Sequence, residues 1–183
     1  MNDSKSDVRT GRGNADEALP DVQSKPTDKS GTPPRHPYEL GWVVGVNLTP
    51  PVEEATRYVE AGVLDFAVEF RTLSATVKDA GVSLHVFDHA TRDEWLKFDL
   101  FGNYPHYHYV VPNVTNKVVR YDEHANGPPV EWALCCLQKR MPAMLRYAGN
   151  DGLAGRVDQM AIDAALPVVR SLVEEALEAA VPA

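Results

Sequence analysis

The stretch that decides the fold is residues 82–122, VSLHVFDHATRDEWLKFDLFGNYPHYHYVVPNVTNKVVRYD. Apolar and polar side chains alternate along it in four short runs, which is the two-residue period of a half-buried β-strand. Turn-forming segments separate the runs, and Gly102-Asn-Tyr-Pro105 is the strongest of these signals. The stretch therefore predicts four antiparallel strands that follow one another as a meander.

Two more strands are predicted upstream of this meander. Residues 41–48, GWVVGVNL, and residues 63–73, VLDFAVEFRTL, alternate in the same way. Between them, Thr49-Pro-Pro-Val-Glu-Glu predicts a short helix over 51–61, because proline fits the first turn and glutamate favours the positive end of a helix. Gly62 is expected to end that helix.

The C-terminal third of the chain carries the apolar spacing of amphipathic helices. One helix is predicted over 130–147 with an interruption at Pro142, and another over 158–180 that Pro167 should divide. The sheet is the only partner available for these apolar stripes. The predicted fold class is α+β: an antiparallel meander sheet of five or six strands with the C-terminal helices packed on one face.

Residues 1–37 differ in composition from the rest of the chain. They are rich in Asp, Ser, Lys, Gly and Pro and hold few large apolar side chains, so we expect a disordered tail. The single α+β domain is then predicted to span residues 38–183. The tail contains six acidic and six basic residues, so the predicted domain carries the whole formal net charge of −8.

Charge and hydropathy exclude two classes of partner. An acidic domain without a basic stripe is not typical of proteins that bind nucleic acid or anionic membranes. No apolar run is long enough to cross a bilayer, and the first twenty residues lack the apolar region of a secretory signal. The expected compartment is the cytoplasm.

The polar face of the predicted sheet carries the candidate functional residues. Matching the apolar faces of neighbouring strands predicts one row of Glu69, His85, Asp99, His108 and Arg120, and a second row of Arg71, Ser83, Phe101, His106 and Asp122. Phe87 and Trp95 are predicted on the same face. Because this mixture is too apolar for a solvated surface and too polar for a deep core, it suggests an open binding face.

A metal site is one interpretation of this face. His106 and His108, two residues apart on one strand, project to the same side, as a pair of imidazole ligands must. Asp99 or Glu69 could complete a set of two histidines and one carboxylate, with His85 as a further ligand or supporting group. Oxygen and imidazole ligands suit zinc, iron or manganese.

The first interpretation of the face is a non-enzymatic binding or protein-interaction module that self-associates or takes a small ligand. A small metal-dependent enzyme is the alternative, with His106, His108 and Asp99 as ligands and His85 or Glu69 as proton carrier. A third is an accessory protein whose tail supplies the contact. Cross-strand pairs of opposite charge that only fix the register would explain the same pattern. The catalytic residues of an enzyme are not identified, because no Gly-x-Ser-x-Gly nucleophile motif is present.

Overall fold

The computed structural model describes residues 50–73 and 79–180, together with the strand backbone of Trp42–Gly45. All of these residues belong to one compact unit, Pro34–Ala183. The predicted tail over 1–37 and the end of the first predicted strand, 46–48, lie outside the described residues.

One antiparallel sheet contains all seven strands of the described part of the chain. The strands are β1 (Trp42–Gly45), β2 (Arg57–Ala61), β3 (Leu64–Thr72), β4 (Ala80–Asp88), β5 (Glu94–Phe101), β6 (His106–Val111) and β7 (Thr115–Arg120). Their order across the sheet is β1-β7-β6-β5-β4-β3-β2. Strands β2 to β7 thus form a six-stranded meander, and β1 pairs with β7 at its edge.

The helix predicted over 51–61 is wrong. A single 3-10 turn covers Glu53–Ala55, and the chain then enters strand β2. The strand is favoured because Tyr58 and Val59 are aromatic and β-branched residues, and because pairing with β3 satisfies the backbone that a short helix would leave open. Gly62, with φ of +70°, makes the tight turn between β2 and β3 instead of ending a helix.

The predicted rows were displaced by two residues in β4 and β6. Across the sheet the observed row is Glu69–Ser83–Asp99–His106–Arg120, and its neighbour runs Ala67–His85–Lys97–His108–Val118. A shift of two keeps every side chain on its face, so the apolar pattern could not distinguish the two registers. The residues of these two rows were assigned to the correct face, whereas their partners across the sheet were not.

Five helices follow the sheet in the described range up to residue 180: α1 (Glu123–Asn126), α2 (Pro129–Lys139), α3 (Met141–Tyr147), α4 (Asp151–Ala154) and α5 (Gln159–Ala179). The interruption predicted at Pro142 is confirmed, since α2 ends before it and proline begins α3. Pro167 does not divide α5. Ile162, more than one turn before Pro167, and Val169, two residues after it, are both fully buried in the core, while Pro167 itself is exposed.

The hydrophobic core lies between the helices and the apolar face of the sheet. The strands contribute wholly buried side chains to this core: Leu64, Phe66, Leu84, Leu96 and Phe98. The helices contribute Leu137, Met141, Leu145, Ile162 and Val169. The predicted α+β class, with a meander sheet and helices on one face, is confirmed. Among the described residues, no helix has the length and apolar character to cross a membrane.

Candidate metal centre

The polar face of the sheet is buried, contrary to the expectation that it is open. Its ionisable side chains expose between 0 and 6 % of their surface: Glu69, His85, Asp99, His106 and His108. The segment that follows Pro50 contributes to this burial at one end of the face, because the backbone N–H of Val52 donates to Glu69 at 2.9 Å and Arg71 donates to the carbonyl of Pro50. A face with ionisable side chains inside the protein must satisfy their charges locally.

Strands β5 and β6 bring the carboxylate of Asp99 against two imidazole rings. Asp99 pairs with His106 in the register, and His108 lies one step further along β6 on the same face. Oδ2 of Asp99 is 3.2 Å from Nε2 of His106 and 2.9 Å from Nε2 of His108. Two imidazole nitrogens and one carboxylate oxygen therefore converge on a single point.

The other nitrogen of each ring is held by a separate acceptor. Nδ1 of His106 lies 2.8 Å from the backbone carbonyl oxygen of Tyr104, and Nδ1 of His108 lies 2.8 Å from Oδ1 of Asn116. An oxygen acceptor places the ring proton on Nδ1, so that in the neutral ring Nε2 carries a lone pair. In that tautomer both Nε2 atoms are free to bind a metal beside Asp99, whereas without a metal a proton on Nε2 of His108 hydrogen-bonds to the carboxylate.

The protonation of the group follows from burial and from its own contacts. Burial alone would raise the pKa of Asp99, but hydrogen bonds with His106 and His108 and the charge of Lys97 outweigh it and hold that pKa well below its usual value. Burial lowers the pKa of His108 more than the neighbouring Asp99 raises it. An ionised carboxylate therefore lies beside a ring that favours its neutral form, which is the state in which both bind a metal ion.

Two more side chains complete the surroundings of Asp99. Nζ of Lys97 lies 3.1 Å from Oδ2, and the hydroxyl of Ser83 donates to Oδ1 at 2.5 Å. Lys97 is 4 % exposed, so its ammonium group is the buried counter-charge of the carboxylate. Ser83 fixes the orientation of the carboxylate from the neighbouring strand β4.

Asp99, His106 and His108 can hold one metal ion together. Their ligand atoms lie within 4.8 Å of one another, and no other group of three or more such residues in the described part of the chain meets that condition. Two imidazoles and one carboxylate match zinc sites and the facial triad of non-haem iron. Such a set leaves coordination positions free for water or a substrate.

The comparisons with known proteins give a family. Residues 58–173, more than half of the chain, match the model of the family described as "Domain of unknown function (DUF7700)". The chain belongs to this family. The matched range runs from β2 into α5 and contains the whole of the Asp99–His106–His108 group. Neither the curated proteins nor the solved structures include a significant match.

A second charged network lies beside the candidate metal-binding group within the family's range. His85 is placed between two carboxylates, with Nε2 3.1 Å from Glu69 and Nδ1 2.5 Å from Glu94. Burial lowers the pKa of His85, but the hydrogen bonds with Glu69 and Glu94 raise it further, so the net direction is upward. His85 is therefore favoured as a cation. It does not join the three ligands, although sequence considerations named it as a possible fourth.

A β-bulge explains why Glu94 was missed and Trp95 was misplaced. The register between β4 and β5 shifts at Val86 and Phe87, so that Phe87 pairs with Glu94. The shift turns Glu94 onto the polar face and Trp95 towards the hydrophobic core, against which its ring packs. The prediction that Trp95 lies on the polar face is wrong. Strict alternation counted back from Lys97 places Trp95 on the polar face and Glu94 on the apolar face. No residue in the segment marks the bulge that reverses this.

The remaining candidate residues surround the two networks. Phe87 stacks on His85 with ring centroids 5.9 Å apart, and Phe101 meets His106 edge-on at 5.6 Å. Both phenylalanines are buried, so neither forms the open interface expected of a self-associating face. Arg120 pairs with His106 across β6 and β7 and is exposed.

Proposed function

We propose that this protein binds a divalent transition metal through Asp99, His106 and His108 and is a small metal-dependent enzyme. The observation that carries the proposal is the convergence of two Nε2 atoms on Oδ2 of Asp99 while both Nδ1 atoms are held by oxygen acceptors. Hydrogen bonds of this kind from Nδ1 accompany almost every histidine that ligates a metal, because they fix the tautomer and the ring orientation.

Electrostatics supports a cation at this point. Two imidazole lone pairs and an ionised carboxylate repel one another unless a positive charge lies between them. A proton on one ring can supply that charge, and so can the ammonium group of Lys97. A metal ion can accept electron pairs from all three ligand atoms at once. A proton can bridge only two of them.

The interaction module, which was the first interpretation of the sequence, loses its main support. That interpretation required an accessible face of polar and aromatic side chains. Phe101 is 4 % exposed, and Phe87 is 7 % exposed. The proposal therefore follows the alternative interpretation, in which the same histidines are metal ligands.

The adjacent His85 network supports an enzymatic role. An imidazole between Glu69 and Glu94 is a proton reservoir, and in the register it is separated from His108 only by Lys97. A bound metal ion would make a coordinated water acidic, and the protonated imidazole of His85 could act as a general acid towards a substrate. The three protein ligands leave room on the metal for such a water and for a substrate.

The test is calorimetric titration of metal-free protein with Zn²⁺, and with Mn²⁺ and Fe²⁺ under anaerobic conditions. We expect one equivalent to bind, and the affinity to fall at least about a hundredfold in Asp99→Asn and His108→Ala, since even supporting residues of metal sites contribute ten- to hundredfold. His89→Ala is the matched control, because His89 contacts Asp65 on the same sheet and is not part of the group.

Folding of each variant is checked separately by its circular dichroism and its thermal unfolding without metal. Binding that is equally tight in wild type, Asp99→Asn and His108→Ala, all folded, would place any metal elsewhere. Absence of binding in the wild type would contradict the proposal directly.

A further inference from the structure

A cavity of about 550 Å³ lies at the end of the sheet next to the proposed metal ligands. It is lined by residues 102–105, between β5 and β6, and by residues 120–124, which begin at the last residue of β7. Tyr104, whose carbonyl holds Nδ1 of His106, is one of the lining residues. The cavity is thus one residue away in the chain from a candidate metal ligand.

Arg120 connects this cavity with the polar face. It is the register partner of His106, so its side chain projects on the same face as the metal-binding group. No hydrogen bond or ion pair of Arg120 occurs within the described part of the chain, in contrast to Arg71 and Arg92, which both contact carboxylates. An accessible guanidinium group without a carboxylate partner, in a cavity wall, is an anion-binding group.

The other lining residues restrict the anion. Asp122 and Glu123 carry negative charge on the same wall, which disfavours a doubly charged group such as phosphate. Asp122 is already engaged, since its carboxylate accepts the backbone N–H groups of His124 and Ala125. Tyr104, 41 % exposed, and Pro105 offer an apolar surface for the body of a ligand.

We infer that this cavity binds a small organic acid with a single carboxylate, that Arg120 holds the carboxylate, and that such acids are the substrate class of the neighbouring metal site. The inference rests on the proposed function, whose substrate it names. Arg120 acts as a binding residue, and its planar fork of N–H groups matches the two carboxylate oxygens.

Benzoate is the probe, because it combines one carboxylate with an apolar ring. Benzamide has the same shape without charge, and phenylphosphonate carries a second negative charge. Binding is measured by calorimetry and by shifts in protein NMR spectra, with metal-free and Zn²⁺-loaded wild-type protein. Arg120→Gln is the test variant, and Arg146→Gln, which replaces an exposed arginine outside the cavity, is the matched control.

We expect benzoate to bind and to perturb residues 102–105 and 120–124. Its Kd should rise about tenfold or more in Arg120→Gln, because the charge-assisted hydrogen bonds of the guanidinium group are lost, and stay unchanged in Arg146→Gln. Benzamide should bind about tenfold more weakly than benzoate. Phenylphosphonate should bind no more tightly than benzoate. Zn²⁺ affinity should be the same in Arg120→Gln as in the wild type.

The outcomes separate the two proposals. If Zn²⁺ binds but benzoate does not, or binds equally well to Arg120→Gln, the inference is overturned and the proposed function stands. If phenylphosphonate binds more tightly than benzoate, a phosphate-type ligand replaces the carboxylate and the inference is overturned. If benzoate binds through Arg120 while no metal binds, the carboxylate site stands and the proposed function fails.

Discussion

The ammonium nitrogen of Lys97 lies 3.1 Å from Oδ2 of Asp99, the oxygen that both candidate metal-binding imidazoles also face. Lys97 and a metal ion therefore compete for the same carboxylate oxygen. This relationship makes the lysine a sensitive probe of the site, because its removal should have opposite consequences with and without metal.

Lys97→Met is expected to destabilise the metal-free protein and to tighten metal binding. Without metal, Asp99 loses its buried counter-charge, and removal of one partner from a buried ion pair costs about 3 kcal/mol or more. With Zn²⁺ bound, the ion neutralises Asp99 and most of the loss is recovered. Thermal unfolding with and without Zn²⁺, compared with wild type, measures both effects. A loss of stability that Zn²⁺ does not restore would argue against a metal at Asp99.

Glu69→Gln is expected to remove a pH-dependent contribution to stability. Burial alone would raise the pKa of Glu69, but the hydrogen bonds from His85 and the Val52 backbone and the charge of Arg71 lower it from 4.5 to about 2. A depressed pKa means that the folded state favours the ionised form, with a contribution of about 3 kcal/mol. That contribution is fully present above about pH 4.5 and is lost as the pH falls towards 2.

Urea unfolding of wild type and Glu69→Gln at pH 7 and at successively lower pH measures this difference. The two proteins should differ most at pH 7 and converge in acid. Glu131→Gln is the control, because Glu131 forms an exposed pair with Arg170, and such pairs contribute less than about 1 kcal/mol. A difference between wild type and Glu69→Gln that does not shrink in acid would show that its origin is packing and not the carboxylate charge.

Trp95→Phe is expected to cost little stability. Nε1 of Trp95 is buried without a hydrogen-bond partner, and an unsatisfied buried donor costs about 1–3 kcal/mol. Phenylalanine removes this donor, which offsets the smaller apolar surface that it buries. Trp132→Phe is the control and should cost more, because the Trp132 ring contacts Phe98, Tyr107 and Tyr121. Denaturant unfolding of both variants ranks them, and the reverse order would contradict this account of Trp95.

Gly81→Ala is expected to destabilise the sheet where β4 meets β5. A Cβ atom at Gly81 would lie 2.4 Å from the carbonyl oxygen of Leu100 and 2.8 Å from Cα of Phe101, and neither backbone atom can move freely. The cost should be about 2 kcal/mol or more. Gly102→Ala is the control, since its nearest neighbour would lie at 3.6 Å. Equal unfolding midpoints for the two variants would show that the strands can separate without cost.

Much of the fold was predictable because alternation in strands reports directly on which face is buried. Asp99, His106 and His108 were assigned to one face from this period alone, and the structure brings them together. Their exact neighbours were not predictable, since a shift of two residues preserves both faces. Turn length decides between such registers, and the sequence of the turns did not reveal it.

Other features depend on tertiary contacts that local patterns do not record. The segment after Pro50 has the composition of a helix start, yet pairing with β3 makes residues 57–61 a strand. The bulge beside Phe87 exchanges Glu94 and Trp95 between faces, and this exchange creates the His85 network. The burial of the polar face was also unpredictable, because it depends on what packs against the sheet.

The most direct test of the central claim is a crystal structure of Zn²⁺-soaked protein with anomalous diffraction at the zinc edge. We expect one strong peak about 2.0–2.2 Å from Nε2 of His106, Nε2 of His108 and a carboxylate oxygen of Asp99. Lys97 should have moved away from that oxygen. A map without a peak at this position, in which Lys97 still contacts Asp99, would contradict the account and identify the cluster as a buried ionic network.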